Sequence, residues 1–141
     1  MRIMAIDYGD AHTGIAVSDA TGSLAGFTTV IDAYRPEAVA DRITALAQEH
    51  GAEELVLGHP INMDGTRGPR SEKAHAMKAL LEERTSLPVV LWDERRTTID
   101  AHNILMAGGK NAKQRKKTVD AVAAALMLEG FLTRRKLEAG Q

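Results

Sequence analysis

Short apolar runs separated by glycine-containing turns open the chain and predict three consecutive strands. The first two form a hairpin in which Asp7 ends strand one, and the third covers Leu24–Ile31. The turn around 21–23 indicates that the third strand pairs antiparallel with the second. Two later runs, Glu54–Gly58 and Val89–Trp92, are almost entirely apolar, which is typical of strands inside a parallel sheet.

Apolar residues at helical spacing predict four helices, the first opened by Pro36 and closed by Gly51 as its C-cap. The other three are predicted over about Ser71–Arg84, from Thr97 or Thr98 to about Met106, and over about Thr118–Lys136. His59–Arg70 is a polar loop. Ala107–Lys117 is rich in glycine and lysine and has no apolar period, so we expect a mobile loop there.

The resulting order is three strands followed by alternating helices and strands. This order predicts an α/β fold with a five-stranded mixed sheet and helices on its faces. No internal repeat, low-complexity segment or linker divides the chain, so we expect residues 1–141 to form one domain.

Composition narrows the classes of protein. The 141 residues are 44% hydrophobic and 26% charged, which is typical of a globular protein. No apolar run is long enough to cross a membrane. Met1 and Arg2, which precede the first strand, are too few to form the charged n-region expected of a signal peptide. The absence of cysteine excludes disulfides and thiolate zinc sites and agrees with a cytoplasmic protein. Because the net charge is only −1, any contact with nucleic acid must use a local basic patch.

Acidic residues fall at comparable places in three elements. Asp7 ends strand one, Asp93 and Glu94 follow the fifth strand, and Asp120 lies near the start of the last helix on its apolar face. Asp7 and Asp120 also have structural interpretations. Asp7 can close a turn, and the helix dipole favours an acidic residue such as Asp120 in the first turn. If strands one and five are parallel, these carboxylates emerge at the same edge of the sheet. A cluster of that kind is stable with Mg²⁺ or Mn²⁺, and two such ions serve in-line phosphodiester hydrolysis.

Basic residues cluster near the same positions in three groups. A solvated surface explains any one group, whereas all three together suit a polyanionic substrate. The groups are Lys110, Lys113, Arg115, Lys116 and Lys117; Arg67, Arg70 and Lys73; and Arg95 and Arg96. The histidines show no metal-binding pattern, although His12 in the hairpin loop and His59 after strand four could contact phosphate or move protons. Gly9 and Gly14 permit positive φ or the close approach of another backbone or a phosphate.

Four motifs occur together in an order and spacing that resemble one protein family. They are Asp7-Tyr8-Gly9 with Gly14-Ile15-Ala16, Gly58–Thr66, Asp93-Glu94-Arg95-Arg96-Thr97-Thr98, and Lys117–Ala121. Together they resemble the YqgF/RuvX family of small bacterial RNase H-like proteins, and the resemblance covers nearly the whole chain. Members have been described as Holliday-junction resolvases and as pre-16S rRNA nucleases.

The resemblance implies roles for particular residues. Asp7, Glu94 and Asp120 would be the catalytic, metal-binding triad for Mg²⁺ or Mn²⁺. Asn62, Asp64 and Gly65 would belong to a loop over the active site, and Arg95 would contact phosphate or support the structure. Two positions depart from the family pattern: many members carry a basic residue at the position of His12 and leucine at that of His59.

The combined interpretation is an RNase H-like, metal-dependent endonuclease acting on the 5′ end of pre-16S rRNA, with the small-subunit precursor as a partner. Lys113, Arg115, Lys116 and Lys117 would hold the substrate backbone. The first alternative is a resolvase for branched DNA, which would need a symmetric dimer. A second is a non-catalytic module that binds RNA or the ribosome. The third is an ATP-binding protein of the sugar-kinase type. Such proteins have two lobes, and 141 residues are too few for the second one.

Overall fold

The computed structural model describes residues 1–9, 11–20, 25–59, 68–93 and 112–139, and of residues 70 and 112–120 it describes the backbone only. Five strands and three helices lie in these ranges. They are β1 (Ile3–Asp7), β2 (His12–Ser18), β3 (Ala25–Asp32), α1 (Pro36–His50), β4 (Glu54–His59), α2 (Pro69–Arg84), β5 (Val89–Asp93) and α3 (Ala112–Ala139). The helix predicted to end near Met106 falls outside the described residues.

The strands form one sheet in the order β3-β2-β1-β4-β5. The first three strands pair antiparallel, as predicted, and β1, β4 and β5 run parallel. Because parallel strands end at the same side, Asp7, His59 and Asp93 lie at one edge, here called the carboxyl edge. The mixed five-stranded sheet of the sequence prediction is confirmed.

Both faces of the sheet are covered by helices, because strand side chains alternate between two apolar layers. On the α1/α2 face, the core joins strand residues such as Ile6, Ile15 and Leu57 to Ile43 and Met77. A second core lies on the α3 face and comprises Ile3, Ala5, Ala16, Val56, Ala124, Met127, Leu128, Phe131 and Leu132. Apart from the register shift at Val17 and Ser18, this alternation assigns the strand residues to a face, and it therefore determines which polar side chains at the carboxyl edge can meet.

The ends of α1 agree with the prediction. Pro36 occupies the first turn, where its missing N–H costs no hydrogen bond. Gly51 has φ 67° and donates its backbone N–H toward the carbonyls of Ala47 and Gln48. That left-handed conformation suits glycine, and the cap satisfies carbonyls that the helix leaves free.

The start of α3 differs from the prediction. The segment 107–117 was expected to be a loop, but the helix begins at Ala112, so Lys113, Arg115, Lys116 and Lys117 are helical. The sequence after Gly109 contains no glycine or proline until Gly130, and Ala, Lys, Gln and Arg are strong helix formers. Intrinsic propensity therefore outweighs the missing apolar period. At the other end, the helix continues three residues beyond Lys136 to Ala139.

Candidate active site

Asp7 is the last residue of β1 and lies at the carboxyl edge, partly buried. Ile3 and Ala5 belong to the α3-face core, so alternation places Asp7 on the same face. Its register partner on β2 is Gly14, which has no side chain. The carboxylate therefore stands at the edge of the α3 face, next to a position that carries no side chain.

The hairpin after Asp7 is held tightly at Gly9. A Cβ added there would lie 2.4 Å from the carbonyl oxygen of His12, which no real side chain tolerates. Gly9 does not have a positive φ, so close approach of the backbone is the reason for glycine. The prediction of close approach is confirmed at this position.

His12 begins β2 and is not a loop residue, contrary to the prediction. The predicted loop was too long because the ladder continues past Gly14, with His12 opposite Asp32 of β3. The imidazole Nδ1 lies 2.6 Å from Asp32 Oδ1. Sequence spacing could not indicate this pair, since the two residues are 20 positions apart and meet only across the ladder.

A second histidine, His59, ends β4 directly opposite Asp93 of β5. Its side chain is buried at 7% exposure, and its Nε2 lies 2.7 Å from the hydroxyl of Ser71, which is fully buried in the first turn of α2. The ring of His75 meets it edge-on with centroids 4.9 Å apart. The prediction placed His59 in a loop, whereas the strand extends one residue further and turns this side chain toward α2.

The two faces separate the acids that the sequence grouped together. Val89 is in the α1/α2-face core and Leu91 packs against it, so Asp93 alternates onto that face. Asp7 is on the opposite face. Asp93 therefore shares an edge of the sheet with Asp7 but not a face.

The helix α3 is fixed at its far end by an ion pair. Arg135 donates two hydrogen bonds, each 2.8 Å long, to the two carboxylate oxygens of Glu54 at the start of β4. From Arg135 back to position 120 the helix rises about 22 Å, whereas β1 spans only about 13 Å. The helix is thus long enough to bring position 120 to the carboxyl edge. Position 120 precedes Ala124 by four residues and Met127 by seven, which is the spacing of the sheet-facing stripe.

Several predicted site residues are not described. Asn62, Asp64, Gly65, Glu94 and Arg95 fall outside the described residues, as do the side chains of Lys113, Arg115, Lys116, Lys117 and Asp120. Within the described ranges no group of three histidine or acidic side chains is placed to hold a metal ion. The predicted triad has only one member, Asp7, among the described side chains, so its assignment stays a prediction.

Within those same ranges, no helix has the length and hydrophobicity needed to cross a membrane.

The ring of Trp92 meets Phe131 of α3 edge-on, with centroids 5.7 Å apart and planes at 84°. Gly130 lies next to this contact, and a Cβ there would be at an ordinary van der Waals distance of 3.8 Å from the indole. Trp92 therefore contributes to packing between β5 and α3.

Comparison with known proteins assigns the chain to a family. The model of the family described as "RuvX: Holliday junction resolvase" matches residues 1–134. A protein of Halothermothrix orenii described as "Putative pre-16S rRNA nuclease" is 40% identical over 132 residues, covering 94% of each chain. A protein of Geobacillus kaustophilus with the same description is 42% identical over 134 residues, covering 94% of this chain and 97% of the relative.

Solved structures share the fold at low sequence identity. Thermus thermophilus RuvC in complex with a Holliday junction substrate aligns with TM-score 0.62 and 17% identity over 96% of both chains. The large terminase nuclease from the thermophilic phage G20c aligns with TM-score 0.56 and 11% identity, over 92% of this chain and 80% of that one. The RNase H-like fold implied by the sequence motifs is confirmed, and the chain belongs to the RuvX family.

Proposed function

We propose that this chain is a metal-dependent endonuclease that hydrolyses phosphodiester bonds at the 5′ end of pre-16S rRNA. The observation that carries the proposal is the position of Asp7, a carboxylate at the carboxyl edge of the sheet on the face covered by α3. Relatives at about 40% identity carry the description "Putative pre-16S rRNA nuclease", and the family is described as "Holliday junction resolvase".

Glu94 and Asp120 would complete the site. Since Asp93 faces α1 and α2, one further step of strand alternation would put Glu94 on the face of Asp7. Asp120 belongs to the helix that covers this face and precedes Ala124, a residue of the α3-face core, by one helical turn. Alternation thus favours Glu94 over Asp93 as the second acid.

Carboxylates are the ligands that Mg²⁺ and Mn²⁺ prefer, so this set of residues fits either ion. When bound, a pair of such ions supplies charge neutralisation and a water activated for in-line attack on phosphorus. In this proposal the fold would hold Asp7, Glu94 and Asp120 together at the carboxyl edge of the sheet. β1 supplies Asp7 from a rigid strand, and α3 is secured to the sheet by Arg135 and Glu54.

The basic residues before Asp120 would bind the substrate backbone. Because α3 begins at Ala112, positions 113, 116, 117 and 120 recur at helical spacing, so Lys113, Lys116 and Lys117 would share one side of the helix with Asp120. Arg115 lies in the same two turns. Asn62, Asp64, Gly65 and Arg95 would contact the substrate from the segments after β4 and β5. In this proposal the enzyme works in the cytoplasm on the precursor of the small ribosomal subunit.

Cleavage assays with two substrates test this proposal. The purified chain is incubated with a pre-16S rRNA 5′-leader fragment or a four-way DNA junction, in Mg²⁺, Mn²⁺ or EDTA. We expect metal-dependent cleavage of the RNA and none in EDTA. Cleavage of the junction alone would replace the proposal by the resolvase, for which the family description provides the support. Binding of RNA with equal affinity in Mg²⁺ and EDTA, without cleavage, would instead indicate a non-catalytic module.

A further inference from the structure

The hydrogen-bonded pair of His12 and Asp32 has no part in the site proposed above. The two residues are direct register partners on β2 and β3, so the backbone ladder holds them opposite each other. Their side chains are 23% and 51% exposed, and Nδ1 of the ring lies 2.6 Å from a carboxylate oxygen. A short bond between strand neighbours fixes the orientation of the imidazole.

The pair lies beside Asp7 on the same face of the sheet. Ala16 belongs to the α3-face core, so alternation puts Gly14 and His12 on that face as well. Gly14 is opposite Asp7, which makes His12 the diagonal neighbour of Asp7. Diagonal neighbours in an antiparallel pair are about 7 Å apart, and the glycine puts no side chain between them. A phosphate group held over Gly14 would be within reach of the imidazole.

The bond to Asp32 determines which ring nitrogen can face a ligand. A carboxylate accepts hydrogen bonds, so it takes the Nδ1–H and leaves Nε2 for another partner. No second partner of His12 occurs in the part of the chain that the structure describes. In its doubly protonated form the ring is a cation whose Nε2–H can donate to a phosphate oxygen.

We propose that His12, oriented by Asp32, donates a hydrogen bond from Nε2 to a phosphate oxygen of the nucleic-acid substrate held beside Asp7. This inference rests on the proposed nuclease function and extends it to a residue that touches the substrate. Asp32 is a positioning residue that keeps Nδ1 occupied.

Kinetics of four variants test the proposal, with the leader fragment and Mg²⁺ as before. For His12→Ala we expect kcat/KM to fall about 10- to 100-fold, as for loss of a hydrogen bond to a charged group, mainly through KM. His12→Arg keeps a cationic donor and should recover most of the loss. Asp32→Asn keeps an acceptor but no charge, so a smaller loss is expected. His50→Ala removes a histidine from the end of α1, away from the carboxyl edge, and should leave kcat/KM unchanged.

The salt dependence of KM distinguishes a phosphate contact from a structural role. Losing one phosphate contact should reduce the slope of log KM against log salt concentration by about 0.7 for a single strand. An unchanged slope, or a kcat/KM for His12→Ala within twofold of wild type, overturns the inference and leaves the nuclease proposal intact.

If wild type cleaves nothing, the nuclease proposal fails and the contact is judged by binding of the same fragment. A weaker Kd for His12→Ala, restored in His12→Arg, then supports the contact. Equal Kd values, or no binding by wild type, overturn it.

Discussion

At the scale of single residues, Thr13 has a hydroxyl where the sheet is apolar. It is fully buried on the α1/α2 face beside Ile15, and its Oγ1 has no hydrogen-bond partner within the described residues. A buried hydroxyl without a partner destabilises the folded state, because folding removes its hydrogen bonds to water and no hydrogen bond within the protein replaces them.

Replacing Thr13 by the similarly shaped valine should therefore stabilise the protein. We expect Thr13→Val to raise the free energy of unfolding by about 1 kcal/mol, measured by urea denaturation. Thr28→Val on the exposed part of β3 is the matched control, since it changes strand propensity without removing a buried hydroxyl. A gain in the control equal to that at Thr13 would contradict this explanation.

Ser71 illustrates the opposite case, a buried hydroxyl that is used. Its Oγ is 2.7 Å from Nε2 of the buried His59. Ser71→Ala should lower the free energy of unfolding by about 1–2 kcal/mol, because the histidine loses this partner away from water. Thermal or urea denaturation measures the change, with the exposed Ser86→Ala as a control that should be nearly neutral. Equal effects at the two serines would show that the bond to His59 contributes nothing.

The sequence could identify Asp7 and Gly9 but not the partners of His12 and His59. Asp7 ends an apolar run and Gly9 follows it, which are local signals. The hydrogen bonds of His12 to Asp32 and of His59 to Ser71 join residues 20 and 12 positions apart. Such pairs depend on strand register and on the docking of a helix, which no local pattern encodes.

At the scale of elements, an ion pair between residues 81 positions apart joins α3 to the start of β4. The Glu54 side chain is 9% exposed, while Arg135 is 41% exposed and lies over the Phe131 ring at 4.6 Å. The hydrogen bonds from Arg135 to Glu54 raise the pKa of the guanidinium above its usual value. Its charge therefore contributes at every pH below that value and would be lost only above it.

Glu54→Gln should destabilise the protein by about 1–3 kcal/mol, since a partly buried bidentate pair is broken. The cost measured at pH 7 should persist at pH 9, because Arg135 stays charged in both conditions. Glu138→Gln is the matched control: it removes an exposed pair with Arg134 on the same helix and should cost below about 0.5 kcal/mol. Denaturation curves of both variants provide the comparison, and equal costs would contradict a special role for Glu54.

The helices also show where local signals succeed and fail. Pro36 and Gly51 mark both ends of α1 because each has a conformational reason to be there. No such residue marks the start of α3, and the glycine- and lysine-rich run suggested a loop before a helix that begins at Ala112. The helix was recognisable only where Ala124, Met127 and Phe131 provide an apolar stripe.

At the scale of the whole molecule, the alternation of side chains along each strand puts the polar residues of the carboxyl edge on two different faces of the sheet. Asp7 and His12 lie on the face of α3, and His59 and Asp93 lie on the other. The sequence predicted the mixed sheet, the helices on both faces and the shared edge, because apolar runs and stripes determine these features. It placed Asp93 beside Asp7 because a sequence pattern gives no common reference for the faces of two distant strands. That residues 1–141 form one domain, and that Glu94 and Asp120 join Asp7, stay predictions.

The central claim is that metal-dependent hydrolysis requires Asp7. The most direct measurement compares the rates at which wild type and variants cleave the leader fragment at saturating Mg²⁺. We expect Asp7→Asn to lower the rate by on the order of 100-fold or more, since it removes a charged metal ligand. Glu49→Gln, which neutralises an exposed carboxylate on α1, should cleave like wild type. Full Mg²⁺-dependent cleavage by a folded Asp7→Asn variant would contradict the account.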